Sequence, residues 1–313
     1  MSKQRFNNLD GIDVNGSLKD LYKWQQERRR KQKDLSYVLP TAQPDTAFLA
    51  RNRKESTITW VGHSTFLIQA GGLNIVTDPV WAKRLSMFRR LSEPGIPMED
   101  MPQVDVVLLS HGHYDHLDLG SLRALPGEPE YMVPAGLGSW FKKKGFARTA
   151  EFTWWGSREF GGLRFTFVPA QHWTRRTPFD TNTSHWGGWM IEGNKVPNVY
   201  FAGDSGYFRG FSEIGARFEI DCALMPIGAY EPEWFMGPQH VTPEEAVQAF
   251  LDTGARQMIP MHYGAYRLAD DTTKEALDRL HLAWEAHALP AARLKQLQPG
   301  QILYLNKEEH GRS

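Results

Sequence analysis

The sequence predicts an α/β protein, on three observations. Strand-length apolar runs alternate with helix-compatible segments through both halves of the chain. Several of those runs end directly in His or Asp residues, the side chains that carry chemistry at strand ends. The 313 residues are 41% hydrophobic and include 11 Trp and 17 Phe, enough to fill the core of one large two-layered domain.

The elements follow in order. Residues 1–56 read as an opening segment. Within it Leu18 to Lys33 is helix-compatible and ends in the basic cluster Arg28-Arg29-Arg30-Lys31, which suits either a solvated face or an anionic surface. Pro40 and Pro44 stop any helix. Thr57–Val61, Thr65–Ala70 and Leu73–Thr77 read as three strands with short turns, an antiparallel sheet edge. Residues 80–103 have no clean period and read as a long loop mixing Trp81, Met87, Phe88 and Leu91 with Lys83, Arg84, Arg89 and Arg90. Val104 to Leu109 is a buried strand. Leu119–Leu125 suits a helix, Glu130–Pro134 a strand, and Leu137–Lys144 a helix closed by Gly145. Arg158–Phe160 and Leu163–Val168 flank Gly161-Gly162 as a hairpin. Trp189–Glu192, Asn198–Phe201 and Cys222–Ile227 are further strands. Thr242-Pro243-Glu244-Glu245 starts a helix, with Thr as N-cap, Pro at the first helical position and Glu closing a capping box. That helix stops at Gly254. Gln257–Met261 is a strand, Thr272–Ala288 a helix and Ile302–Leu305 a closing strand.

The most informative stretch is residues 104–118, VDVVLLSHGHYDHLD. His111, His113, Asp115 and His116 lie within six positions after a buried strand. On a strand, positions 111, 113 and 115 share a face and 116 does not; on a helix, 111 and 115 share one and 113 does not. The four converge only if the chain leaves the strand and curls around something. Imidazole and carboxylate are the ligands zinc takes in the absence of thiolate, so a metal is the natural centre, the alternative being a polar turn rich in histidine. Three further candidates follow strand-like runs: His172 in PAQHW, Asp204 in FAGDS and His262 in PMHYG. Groups beyond strand ends of an α/β sheet gather along one rim. His185, His281, His287 and His310 lack that context and read as ordinary.

Composition narrows the function. Lys+Arg and Asp+Glu both total 36, so the chain has no global electrostatic footprint for nucleic acid. The single cysteine, Cys222, lies in an apolar run and reads as a buried small hydrophobe. The N-terminus has no apolar signal region and no run reaches the roughly 18 apolar residues of a membrane span. The expectation is a cytoplasmic protein, peripheral at most on the inner membrane surface.

The His-x-His-x-Asp-His pattern after a buried strand resembles the metal-binding loop of the metallo-β-lactamase superfamily. The segments TWVGHST, VDVVLLSHGHYDHLD, PAQHW with WGGW, FAGDSGY and PIGAYEPEWFM with QHVTPEEA are similar to its N-acylphosphatidylethanolamine phospholipase D branch, over about residues 57–282. The resemblance implies a four-layer αββα sandwich over 57–305, preceded by an extension at 1–56 and followed by a tail at 306–313. It implies two zinc ions, or another divalent metal: His111, His113 and His172 on one, Asp115, His116 and His262 on the other, and Asp204 bridging. Asp78 matches a carboxylate that orients a ligating histidine, and His240 an active-site histidine near the phosphate. His63 lies in a matching segment without an assigned role.

The implied activity is hydrolysis of a phospholipid or small phosphodiester by a hydroxide shared between metals roughly 3.5–4 Å apart, with Asp115 and His240 as catalytic groups. Trp81, Phe88, Arg89 and Arg90 form the candidate lip for anionic headgroups and acyl chains. A β-lactamase would place cysteine where Asp204 stands, a diiron oxidoreductase would place Glu at position 113, and a superfamily nuclease is disfavoured by the zero net charge and by this chain's lack of room for an inserted nucleic-acid domain. The rivals are a small-substrate hydrolase of sugar-phosphate lactonase type and a non-catalytic metal-binding protein. The sequence leaves the oligomeric state open.

Overall fold

The structure is a computed structural model that describes residues 4–12, 14 and 16–306, so His310 and nearly all of the 306–313 tail lie outside the described residues. The first sheet begins as a meander. Strands β1 (Thr57–Gly62), β2 (Thr65–Ala70) and β3 (Leu73–Thr77) pair antiparallel. A two-residue ladder, β4 (Arg84–Leu85) with β5 (Phe88–Arg89), interrupts the 80–103 loop. Strands β6 (Val106–Leu108), β7 (Glu130–Pro134) and β8 (Thr149–Phe152) then extend the sheet in parallel. The second sheet comprises β9 (Ser157–Phe160), β10 (Leu163–Val168), β11 (Gly188–Glu192), β12 (Val199–Phe201), β13 (Cys222–Pro226) and β14 (Gln257–Met261). Its first half is antiparallel and its second half parallel. Strand β15 (Ile302–Tyr304) returns to pair with β1, giving the orders β15-β1-β2-β3-β6-β7-β8 and β14-β13-β12-β11-β10-β9.

The period of two along each strand builds the layers. In the first sheet, Ile58, Trp60, Phe66, Ile68, Val106 and Leu108 join Phe165, Phe167, Trp189 and Leu224 of the second sheet in one buried cluster. The alternate positions Val61, Leu67, Val76, Val107 and Leu109 pack instead with Leu49, Leu122 and Phe141. Those three belong to α2 (Thr46–Arg51), α3 (Leu119–Ala124) and α4 (Gly138–Lys143). The outer side of the second sheet is covered by α5 (Gly210–Arg217), α7 (Pro243–Asp252) and α8 (Thr273–Ala286), through Phe211, Phe250 and Leu280; the short α6 (Glu233–Met236) lies between. The result is the αββα four-layer arrangement. Helix α7 begins as its sequence predicts: Thr242 Oγ1 accepts the Glu245 amide and the Glu245 carboxylate accepts the Thr242 amide.

Three expectations are corrected. First, the basic cluster at the end of α1 (Leu18–Arg30) is not simply a solvated or docking face. Lys31 reaches Glu231 and the fully buried Asp270 at 2.9 and 3.3 Å, Arg28 reaches Asp270 at 3.3 Å, and Trp24 donates Nε1–H to Asp270. The charges answer a carboxylate buried in the chain's own domain, which would otherwise be costly. Second, Arg90 is not on a lip. It is buried and donates to the Val80, Ser92 and Val61 carbonyls and to Tyr266 Oη. Third, Trp81 turns inward, with Nε1–H on the Ile96 carbonyl and its ring against the cluster of Val61, Leu67 and Leu122. Strand β8 and helix α5 carry no sequence prediction: β8 is a half-exposed edge and α5 lacks a capping side chain.

Candidate metal centre

Strands β6, β10, β12 and β14 end on one rim, and the loops leaving them bring the candidate donors together. The loop after β6 carries His111, His113, Asp115 and His116. Those after β10, β12 and β14 bring His172, Asp204 and His262. His111 Nε2 lies 2.9 Å from His113 Nδ1, which lies 3.2 Å from His172 Nε2. On the other side, Asp115 Oδ2 lies 3.3 Å from His116 Nε2 and 3.5 Å from His262 Nε2. Asp204 Oδ2 stands between the groups, 3.1 Å from both His116 and His262 and 4.0 and 3.9 Å from His111 and His172. All seven sequence-predicted donors therefore converge.

Backbone strain and second contacts aim them. Gly203 adopts φ +65, and a Cβ there would meet Ser110 Cβ at 2.7 Å, so only glycine lets this turn bring Asp204 over the β6 loop. Asp78, His63 and His262 also hold positive φ (33°, 55° and 63°), uncommon for non-glycine residues and typical of functional sites. Asp78 accepts the Ser110 amide at 2.8 Å and hydroxyl at 2.5 Å, and its Oδ2 lies 2.6 Å from His116 Nδ1. His172 Nδ1 faces the Gln239 carbonyl at 3.0 Å. Each contact fixes a ring so that Nε2 points to the centre. Asn8, far away in sequence, accepts the His172 amide at 3.0 Å and Trp186 Nε1–H at 2.9 Å, tying the N-terminal arm to the same loop. His240 sits at the edge, Nδ1 3.9 Å from Asp204 Oδ2. His185 is elsewhere, stacked on Phe6 and tilted against Trp154.

The electrostatics call for positive charge between the carboxylates. Burial pushes His172 and His240 down to about 3 and His113 to about 4, so these imidazoles are neutral, the ligating form. His262 moves the other way, up to about 9: burial opposes its charge, but Asp204 and Asp115 outweigh it. His116 is held up by Asp204, Asp115 and Asp78 against the same burial. Burial also opposes ionised Asp115 and Asp204, yet the adjacent imidazoles hold both well below the usual carboxylate range. Among the described residues, Asp204 Oδ1 is buried without a hydrogen-bond partner, and His116 Nε2 and His262 Nε2 form no well-aligned hydrogen bond and face only carboxylate oxygens. Such orphans are costly unless a cation takes their lone pairs. Imidazole and carboxylate donors without thiolate fit zinc or another divalent metal. Cys222, buried at the start of β13 with its thiol pushed up to about 12 by burial, takes no part.

The residue that sequence reasoning left unassigned is His63. It is buried, its Nε2 lies 3.0 Å from Asp115 Oδ2, and its ring packs at a tilt against His262 at 4.1 Å. The signal was present in TWVGHST, where Gly62 (φ +130) and a shift in the β1–β2 register turn the chain sharply. His113, Asp115, Trp173 and Phe88 line a cleft of about 900 Å³ that opens from the centre.

Residues 73–263 match the family model described as the beta-lactamase superfamily domain. A protein of Mycobacterium tuberculosis is 35% identical over 301 residues, covering 89% of this chain and 78% of that one. The N-acyl-phosphatidylethanolamine-hydrolyzing phospholipase D 1 of Caenorhabditis elegans is 36% identical over 247 residues, covering 70% of this chain and 69% of the relative. Among solved structures, the isothiocyanate hydrolase from Delia radicum gut bacteria matches with a TM-score of 0.67 at 17% identity, covering 80% of this chain and all of that one. At that identity the likeness speaks for the fold alone.

Proposed function

The chain belongs to the metallo-β-lactamase superfamily as a metal-dependent hydrolase, and we propose that it is a phosphodiesterase of phospholipase D type acting on N-acylphosphatidylethanolamine-like lipids. The observation that carries this reading is the cleft beside the donors. Its mouth combines exposed apolar side chains with arginines: Phe88, Arg84 and Arg175 line it, and Met87 and Phe179 are 79% and 87% exposed on the same two loops. Such a rim suits acyl chains beside an anionic headgroup. The likeness to a phospholipase D acting on this lipid class supports the same substrate. No described helix is long and apolar enough to cross a membrane.

His111, His113 and His172 would hold one divalent ion, Asp115, His116 and His262 a second, with Asp204 facing both. When bound, such a pair supplies Lewis-acid polarisation of the phosphoryl oxygens and an activated water. The protein's residues supply position. Asp115, whose side chain is 15% exposed and faces the cleft, orients the attacking water at its carboxylate. His240, neutral because burial pushes it down to about 3, offers a ring N–H to a phosphoryl or leaving oxygen. Water oxygen bonds to phosphorus, the opposite ester bond breaks, and a proton passes to the departing alcohol. The products are a phosphatidic acid and an N-acylethanolamine.

The test is incubation of metal-replete protein with N-acylphosphatidylethanolamine in mixed micelles, following N-acylethanolamine by mass spectrometry, with His113→Ala as control. Metal-dependent release supports the reading. No release from protein carrying two metals discards the lipid substrate and turns the search to lactones and small phosphodiesters.

A further inference from the structure

We propose that His63 is a positioning residue of the metal centre, its Nε2–H holding the Asp115 carboxylate in place for the Asp115–His116–His262 half. This rests on the two-metal reading above. Asp115 Oδ2 has three nitrogen neighbours: His63 Nε2 at 3.0 Å, His116 Nε2 at 3.3 Å and His262 Nε2 at 3.5 Å. The last two also face Asp204 Oδ2 at 3.1 Å, so they address the space between the carboxylates. A nitrogen that gives its lone pair to a cation has no proton to give Asp115. Of the three, only His63 Nε2, which has no contact with Asp204, remains as a donor.

The need for such a donor is plain from the rest of the site. His116 is oriented by Asp78 and His172 by the Gln239 carbonyl. Asp115, its side chain 15% exposed, meets three ring nitrogens among the described residues, and only His63 keeps a proton for it when His116 and His262 turn their lone pairs to a cation. Ligating carboxylates are themselves hydrogen-bonded where a metal site is well ordered. His63 is built to serve. Its backbone carbonyl accepts Trp60 Nε1–H at 2.9 Å and the His262 amide at 3.2 Å, fixing its Cα to both halves of the fold. Its ring is held between His262 at 4.1 Å and the edge of Tyr266 at 5.4 Å. Nδ1 is buried without a partner, so a neutral ring gains most by carrying its one proton on Nε2.

The experiment titrates zinc into metal-stripped protein against a chromophoric chelator, for wild type, His63→Phe and His63→Gln, and records the visible spectrum of each protein saturated with cobalt. Loss of a partner of this kind costs about 10–100-fold in metal affinity. The expected result is one binding step weakened by that factor in His63→Phe, the other unchanged, and recovery in His63→Gln, whose amide N–H can replace Nε2–H. The saturated cobalt spectra should coincide, because the donor set is the same. Two native binding steps in His63→Phe would overturn the inference, as would an altered cobalt spectrum, which would make His63 itself a ligand. Should neither variant fold, long-range proton–nitrogen NMR of zinc-loaded, 15N-histidine-labelled wild type decides: an Nε2–H tautomer at His63 supports the inference and an Nδ1–H tautomer refutes it. Fewer than two zinc ions on wild type would instead fail the two-metal reading, a distinguishable outcome.

Discussion

Replacing Asp78 by Asn isolates what one buried carboxylate contributes to the centre. The backbone there has φ 33°, and Asn is among the non-glycine residues that best tolerate this region, so the substitution adds little strain. Volume is also conserved. What changes is the hydrogen-bond ledger. Asp78 accepts from the Ser110 amide, the Ser110 hydroxyl and His116 Nδ1–H. An Asn side chain has one accepting oxygen, so either the Ser110 amide or His116 Nδ1–H faces an NH2 group. Leaving one buried donor unsatisfied costs about 1–3 kcal/mol. At roughly 2–4 °C per kcal/mol for a larger domain, metal-stripped Asp78→Asn should melt several degrees lower. His116, a proposed ligand, also loses its carboxylate partner, so metal affinity should fall about 10–100-fold. Calorimetry of the stripped protein reads the first quantity and competition with a chelator reads the second. Native affinity in a folded Asp78→Asn protein would refute the claim that Asp78 works through His116.

Other perturbations test neighbouring parts of the argument. Asp204→Asn or His113→Ala should abolish metal-dependent turnover while far-UV circular dichroism stays native; full activity in either would reject the two-metal assignment. Phe88→Ser with Arg89→Ser should weaken sedimentation with anionic vesicles, at about 1 kcal/mol per lost arginine contact. Arg90→Leu should instead lower thermal stability, because it strips four acceptors of their donor. Equal sedimentation by the double variant and wild type would remove the lip. Burial pushes His185 down to about 3. Its folded pKa lies below the unfolded value near 6.5, so the unfolded chain binds the extra proton between those limits and stability falls as pH drops from about 6.5 toward 3. His185→Phe, keeping the ring packing against Phe6 and Trp154, should remove up to about 1.4 kcal/mol per pH unit of that slope in urea unfolding; identical slopes would show that His185 is not buried neutral.

Most of the scaffold is readable from short-range signals. Strands β2, β3, β7, β10 and β14 fall at their expected bounds, because an apolar run between turn residues needs no distant information. The capping box at Thr242 works the same way, since both its hydrogen bonds join residues three apart. Strand β8, half exposed at a sheet edge, has no such contrast. The donors were legible one by one, from residue type at strand ends.

Pairings between distant segments were not legible. That Arg28 and Lys31 face a buried Asp270, that Arg90 turns inward to Tyr266, and that Asn8 reaches the loop of His172 each depend on contacts across more than 150 residues. A charge looks solvated in sequence until the fold supplies a partner that makes its burial affordable. The sequence by itself determined the α/β scaffold and picked out the candidate donors, because strand periodicity and ligand chemistry are local properties. Only the tertiary structure decided the distances at which the candidate donors meet around Asp204, and that His63 joins them beside Asp115, because those distances are set by how two sheets pack.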